Sequence, residues 1–401
     1  MFHKEKDMKT HRELAEQLDL FHSEQQAPGM LFWHPNGWQL FQSIQDHMRQ
    51  CYRQHAFQEI RTPQFMKKEL WQTSGHMDMY AEDMFFGGGR DADADYVLKP
   101  MSCPAHILMY KRGVHSYRDL PLKLFEFGVV HRNESSGSLN GCLRLRQFTQ
   151  DDAHVFCGWD QAQSEVMQFL QRAKQIYSDY GYESLSVKLS TQPAQALGDE
   201  ASWARAEEIL QNACIAEQVS FEIQAGEGAF YGPKIELSLQ DSIGRVWQCG
   251  TVQLDFNLPE RFNLQFDTGQ GESEQPVILH QAVYGSIERW IGILLEVSQG
   301  TLPEWIHPNP VVLLTVDASS LDYASGIRDE LHRQGIHVVC DFSDQSVGRK
   351  IKRSFELKIP NIVIIGKQEA DSDTLTIRRG RQIEKIAAGE LIPLLRAHQK
   401  A

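Results

Sequence analysis

The residues from Glu126 to Phe156 read EFGVVHRNESSGSLNGCLRLRQFTQDDAHVF, apolar at both ends and dense in Arg, Asn, Glu, Gln, Asp and His between them. Two β-forming runs around a Ser/Gly/Asn loop predict a hairpin. Period-2 alternation sets Arg132 and Glu134 on one face with Arg144 and Arg146 near them, and Gln150, Asp152 and His154 together on the exit strand. A solvated face laced with ion pairs could carry the same pattern, although such pairs are worth little. Solvated faces favour Lys and Glu, whereas guanidinium groups are planar forks that hold phosphate or carboxylate through two hydrogen bonds. An anionic ligand lying across a sheet is the better account.

Such groups need a rigid platform. The segments VLKPMSC, LKLFEFGVVHRNE, CLRLRQFTQDDAHVF, SLSVKLST, KIELSLQD and RVWQCGTVQLDFNL alternate or carry β-formers and are joined by turns. They predict a mainly antiparallel sheet with helices against it, an α+β body over residues 1–307. Among its helical segments are DQAQSEVMQFLQRAKQIYSDYG, ending at Gly181 where a C-cap glycine belongs, and ASWARAEEILQNACIAEQ. FFGGGRDADAD reads as a polar, mobile loop. Pro303, Pro308 and Pro310 in LPEWIHPNPVVLLTV mark a boundary, because proline neither continues a helix nor donates to a ladder. Beyond it VVLLTV, SSLDYASGIRDELHRQG, IHVVCDF, SVGRKIKRSFELKI and PNIVIIG alternate strand and helix, predicting a smaller α/β domain over 308–401.

The 401 residues suit two domains, and 41% apolar with 23% charged residues is ordinary globular composition. No apolar run approaches the ~20 residues of a membrane span, and the charged, amphipathic N-terminus has no secretion-signal pattern, so a cytoplasmic location is expected. Seven cysteines without a CxxC pair read as reduced thiols. A net charge of −13 argues against a general nucleic-acid coating protein, although the tail from Pro308 is weakly basic. The common nucleotide and zinc signatures G-x-G-x-x-G, G-x-x-x-x-G-K-[ST] and H-E-x-x-H are absent.

HRNE, the loop after it and LRLRQFTQDDAHVF resemble motif 2 of the class II aminoacyl-tRNA synthetases, specifically of the threonyl-tRNA synthetase family. GMLFWHPNGWQLFQSIQDHMRQCYRQHAFQEIRTPQF resembles motif 1, and AVYGSIERWIGILLE resembles motif 3 with Arg289 as its arginine. KPMSCPAH, AGEGAFYGPKIE and QCGTVQLDF are threonyl-type signatures, and the likeness covers residues 10–401. It implies an antiparallel class II catalytic domain over 1–307, an anticodon-binding domain over 308–401 and a homodimer through motif 1. The implied activity is ATP-dependent activation of L-threonine and transfer to the 3′ end of tRNA.

Residue by residue, the resemblance gives Arg132 the α-phosphate and amino-acid carboxylate, Glu134 the adenine, Arg144 the γ-phosphate end and Arg289 the opposite side of the phosphates. Gln248 and Thr251 would line the nucleotide and ribose region, and Mg²⁺ would accompany ATP. Cys103, His154 and His280 match the family's zinc ligands; spacing alone would read them as a buried thiol and ordinary histidines. Three such ligands leave the metal an open position for the amino group and hydroxyl of threonine, which rejects valine for want of a hydroxyl. Asp152 would accept from that hydroxyl, with Tyr231 at the amino group, Gln150 at the carboxylate and Gln253 nearby. His76 matches a histidine near the ribose during transfer. In the tail Arg349, Lys350, Lys352 and Arg353 would meet RNA backbone.

Departures bear on these expectations. The family's N-terminal editing region has no counterpart in this sequence, and serine is one methyl smaller than threonine, so serine mischarging is expected unless a separate protein edits in trans. Gln281 stands where the family commonly has Arg, and Ser102 and Ala105 depart from the usual MNCPGH, departures close to the metal that would tune substrate choice. FSDQSVGRK and LTIRRG differ where the anticodon is read. These differences keep open a paralogue that delivers threonyl adenylate to another acceptor or serves as an inhibitor-tolerant duplicate. A regulatory relic without catalysis fits least, since Arg132, Arg289, Cys103, His154 and His280 are all present.

Overall fold

The structure is a computed structural model that describes residues 8–89, 95–182, 185–240 and 244–397. The polar loop expected at 85–95 lies partly outside the described residues. The chain forms two compact units, one of Glu24–Met30 with Met48–Ile293 and the other of Met1–Ser23, Leu31–His47 and Leu294–Ala401.

The first unit is built on an eight-stranded sheet of β1 (Gln58–Glu59), β2 (Leu122–His131), β3 (Gln147–Cys157), β4 (Ser186–Ser190), β5 (Glu222–Gln224), β6 (Lys234–Gln240), β7 (Val246–Asp255) and β8 (Val277–Ala282). The spatial order is β5-β4-β6-β7-β8-β3-β2-β1. All six strands from β4 to β2 pair antiparallel, and only the short edge strands β5 and β1 join in parallel. This is the antiparallel platform that the turn-linked strands predicted. Strand β8, VILHQA, is buried at every position, as a central strand covered on both faces must be. Helix α1 (Cys103–Tyr110) contributes Cys103, Ile107 and Tyr110 to a cluster with Leu124, Phe156 and Ile278 from the sheet. Helix α2 (Trp159–Asp179) buries Ala162, Val166, Phe169, Leu170, Ala173 and Tyr177, the three-and-four spacing of one apolar stripe. Gly181 follows it at φ +85°, a left-handed position that glycine adopts without a Cβ clash.

The hairpin departs from expectation in one respect. The β2–β3 ladder ends at His131–Gln147, so CLRLR lies in the loop rather than on the exit strand. Arg146 is held by both backbone and side chain: its N donates to Gly29 O at 2.8 Å, its O accepts from Arg132 N at 2.8 Å, and its Nε donates to Glu134 O at 2.8 Å.

In the second unit β9 (Val311–Thr315), β10 (Val338–Asp341), β11 (Asn361–Ile365), β12 (Thr374–Arg379) and β13 (Gln382–Ala387) form a mixed sheet ordered β10-β9-β11-β12-β13. Val311 and Leu313 of β9 enter one core cluster and Val312 and Leu314 another, so both faces of this strand are covered. Helices α4 (Leu321–Arg333) and α5 (Val347–Glu356) lie between its parallel strands in sequence, while α3 (Ile287–Ser298) precedes the sheet.

Candidate active site

Strand β3 directs Gln150, Asp152 and His154 to one face, β7 brings Gln248, Thr251 and Gln253, and β8 brings His280. With Cys103, Arg132, Glu134, Tyr231, His76 and Arg289 they line one cavity of about 480 Å³. Residues scattered over more than half the chain therefore line one cavity. Arg144 does not line it; it pairs with Glu134 at 3.0 Å, and its side chain is half exposed.

The cavity holds an N/S donor set. One ligand atom each from Cys103, His154 and His280 lie within 4.8 Å of one another, and all three residues are buried. His154 Nε2 faces His280 Nδ1 at 3.0 Å. Tetrahedral zinc with Zn–N of about 2.0–2.1 Å holds its nitrogens roughly 3.3 Å apart, so the pair is spaced for a metal. The outer nitrogens are also engaged: His280 Nε2 meets Asp255 Oδ2 at 2.8 Å, and His154 Nδ1 meets His106 Nδ1 at 2.9 Å. Burial, then the carboxylates of Asp152 and Asp255, push the Cys103 thiol far up, so a bound cation is what would yield the thiolate. The donor set thus fits zinc.

Around this set, Tyr231 Oη donates to Gln253 Oε1. Burial raises the pKa of Asp152. His76 is held neutral, with its pKa lowered to about 3 by burial and then by His280, Arg132 and Arg261. On the other side of the cavity, Arg132 lies over the Phe148 ring at 5.2 Å, and Arg289 Nε is anchored on Leu143 O at 2.9 Å. Thr251 Oγ1 is buried without a hydrogen-bond partner among the described residues, an open hydrogen-bonding position in the wall.

Two buried carboxylates tie the turn and helix start at residues 283–288 to β3. Asp151, on the face opposite Asp152, accepts from Val283 N, Tyr284 N and Gly285 N at 2.7, 3.0 and 2.9 Å. Glu288 accepts from Thr149 N at 2.9 Å and from Ser286 Oγ at 2.9 Å. Neither was foreseen; both follow from alternation, which turns Thr149 and Asp151 away from the ligand face.

Gln281 also points behind the sheet: its Oε1 accepts from Arg172 Nη2 of α2 at 2.6 Å. Gln281 also borders the cavity, so this position touches both the ligand side and the helix side of β8. In α5, Arg349, Lys352 and Arg353 are exposed, but Lys350 is only 1% exposed and its Nζ donates to Thr315 O at 2.8 Å. Lys350 is removed from the expected RNA-facing set, because its ammonium is spent on a strand-end carbonyl.

Two family descriptions match the chain: tRNA synthetase class II core domain (G, H, P, S and T) over residues 84–298, and anticodon binding domain over 310–398. A crystal structure described as the RNA binding domain of threonyl-tRNA synthetase from Cryptosporidium parvum matches with a TM-score of 0.92 at 39% identity, covering 97% of this chain and 98% of that one. The chain belongs to the threonyl-tRNA synthetase family. The threonine–tRNA ligase of Teredinibacter turnerae is 43% identical over 98% of this chain and 61% of its own length. That of Nitrosomonas eutropha is 45% identical over 93% and 59%. The chain thus spans about three-fifths of the length of these curated relatives. The class II core and anticodon-binding folds of the threonyl-tRNA synthetase family are the architecture described above. No helix among the described residues is long and apolar enough to cross a membrane.

Proposed function

We propose that this chain, in the cytoplasm, activates L-threonine with ATP, Mg²⁺ accompanying the nucleotide, and transfers the threonyl group to the 3′ end of threonine tRNA. The observation that carries this reading is one cavity holding both the Cys103–His154–His280 donor set and the arginines Arg132 and Arg289.

In the first step a threonine carboxylate oxygen attacks the α-phosphorus and pyrophosphate leaves. Charge grows on the phosphoryl oxygens, and Arg132 and Arg289, held in advance by backbone and ring contacts, offset it from two sides. Glu134 suits the adenine amino group, Arg144 the γ-phosphate end, and Gln248 and Thr251 the nucleotide and ribose. Cys103, His154 and His280 would hold zinc, which when bound supplies open positions for the amino group and hydroxyl of threonine. Asp152 accepts from the hydroxyl, Tyr231 meets the amino group with Gln253 nearby, and Gln150 meets the carboxylate. In the second step a tRNA 3′-terminal hydroxyl attacks the carbonyl carbon and AMP leaves; neutral His76 can accept a hydrogen bond near the ribose. Residues 1–307 would serve catalysis and 308–401 anticodon binding, with exposed Arg349, Lys352 and Arg353 toward RNA. A homodimer through motif 1 is supported by Phe32 and Trp38, each 45% exposed.

Aminoacylation of threonine tRNA, run with threonine, serine and valine beside ATP–pyrophosphate exchange, tests the reading. Threonine-dependent exchange with charging is expected. Exchange without charging would mean another acceptor, and no exchange would overturn the assignment.

A further inference from the structure

His106 lies three residues after Cys103 on α1, so the helix turns both side chains to one face. It is fully buried, and its ring meets that of His154 edge to face at 4.4 Å between centroids. Its two nitrogens have different neighbours. Nδ1 lies 2.9 Å from His154 Nδ1, and Nε2 lies 3.4 Å from Glu126 Oε1, an ion-pair contact rather than an aligned hydrogen bond. Glu126 is in turn buried, contacting Lys99 Nζ at 2.6 Å, Thr62 N at 2.9 Å and Thr62 Oγ1 at 2.7 Å.

Two Nδ1 atoms at hydrogen-bonding distance share one proton, and its location decides whether His154 can hold a cation. A neutral imidazole has one N–H and one lone pair. If the proton between the rings sits on His106, His154 must carry its own on Nε2, the nitrogen that faces His280 and the cavity, and has no lone pair to give there. If it sits on His154 Nδ1, Nε2 is free to ligate. His106 then accepts at Nδ1 and carries its single proton on Nε2, aimed at Glu126. A carboxylate at that end rewards this arrangement, and Glu126 is paired with the Lys99 ammonium at 2.6 Å in its buried site.

We propose that His106 is a positioning residue for the zinc ligand His154, fixing its Nδ1–H tautomer and ring orientation through a relay that ends on Glu126. The inference rests on the proposed zinc site. The two ligand histidines are thereby supported unequally: His280 reaches a carboxylate directly at Asp255, whereas His154 reaches one through a second imidazole. Outer partners of this kind set metal affinity by orienting the ligand and fixing its proton.

The test compares the full chain with His106→Leu, which cannot accept, and His106→Gln, whose amide can both accept and donate. Zinc content and zinc affinity, by competition with a chromophoric chelator, are measured beside nitrogen-15 NMR of the histidine tautomers in the zinc-loaded protein. The expected result is a His106→Leu affinity ~10–100-fold weaker, with His106→Gln recovering most of the loss. The spectra should show His154 protonated at Nδ1 and His106 at Nε2. Unchanged affinity in His106→Leu, or a proton on His106 Nδ1 in the native protein, overturns the inference. The NMR result decides it even if His106→Leu does not fold. A native chain that takes up no zinc overturns the zinc site itself, a distinct failure.

Discussion

Arg172 gives the most demanding test of how this core balances charge. The residue is 2% exposed, its guanidinium stacks 5.0 Å from the Phe57 ring centroid, and Nη2 donates to Gln281 Oε1, while Nε and Nη1 have no hydrogen-bond partner among the described residues. Burial already lowers its pKa. Gln281→Arg, which restores the residue common in the family, would set a second guanidinium against the first. Two such charges ~4 Å apart in an effective dielectric of ~20 repel by about 4 kcal/mol. Loss of the charge-assisted hydrogen bond adds about 1.5–3 kcal/mol. The sum is a large part of the ~5–15 kcal/mol that stabilises a typical domain. Arg172→Leu alone should be nearly neutral, because an orphaned Gln281 amide is offset by removal of a buried cation. The double variant should recover the repulsive part, about 4 kcal/mol. Urea unfolding of the four proteins at one temperature and one metal content reads this directly. A Gln281→Arg protein within ~1 kcal/mol of the parent, or a coupling below ~0.5 kcal/mol, would refute the reasoning.

Arg132→Ala should lower threonine-dependent pyrophosphate exchange by ~10²–10³-fold in kcat with little change in the unfolding midpoint, since its contacts face the cavity. His307, whose pKa burial lowers to about 4, should stabilise the fold above pH 6.5 and lose that contribution as pH falls toward 4, where the unfolded chain takes up the proton first. The shift corresponds to about 3 kcal/mol, and the stability difference between the parent and His307→Asn should shrink over that window; a constant difference from pH 7.5 to 4.5 would refute it. Gly285, at φ +73°, has no room for a side chain: an added Cβ would stand 2.4 Å from Cys249 O, so Gly285→Ala should cost several kcal/mol in denaturant unfolding. Lys352→Ala with Arg353→Ala should weaken tRNA binding and flatten its salt dependence by about 1–2 units of slope, leaving pyrophosphate exchange unchanged.

Alternation made the ligand face legible: Gln150, Asp152 and His154 stand together because β3 is regular from Gln147 onward. The strand–helix rhythm after Pro308 likewise corresponds to a five-stranded sheet with its helices. What remained hidden depends on contacts between distant segments. Cys103, His154 and His280 meet only after three separate elements pack, so their proximity has no local signature and came through the family resemblance. The Glu126 carboxylate looked like one more polar strand residue, yet it anchors Lys99 and Thr62 in the interior. In the basic helix, a run of charges does not say which turn faces inward. Lys350 and Ser354, four residues apart, take the buried stripe, while Arg349 and Arg353 take the outer one.

The carboxylates of Asp151 and Glu288 also bear on how long the cavity keeps its shape. The amides of Thr149, Val283, Tyr284 and Gly285 are locked by side-chain oxygens from the interior, three of them beyond the end of any ladder. Protons in such positions are released to solvent only when a whole cooperative block opens. In deuterated water these amides should therefore be among the last to exchange, on the timescale of core strands rather than of turns. Arg289, four residues past Gly285, would then keep its bearing toward Arg132 for as long as the sheet itself survives, with or without nucleotide between them.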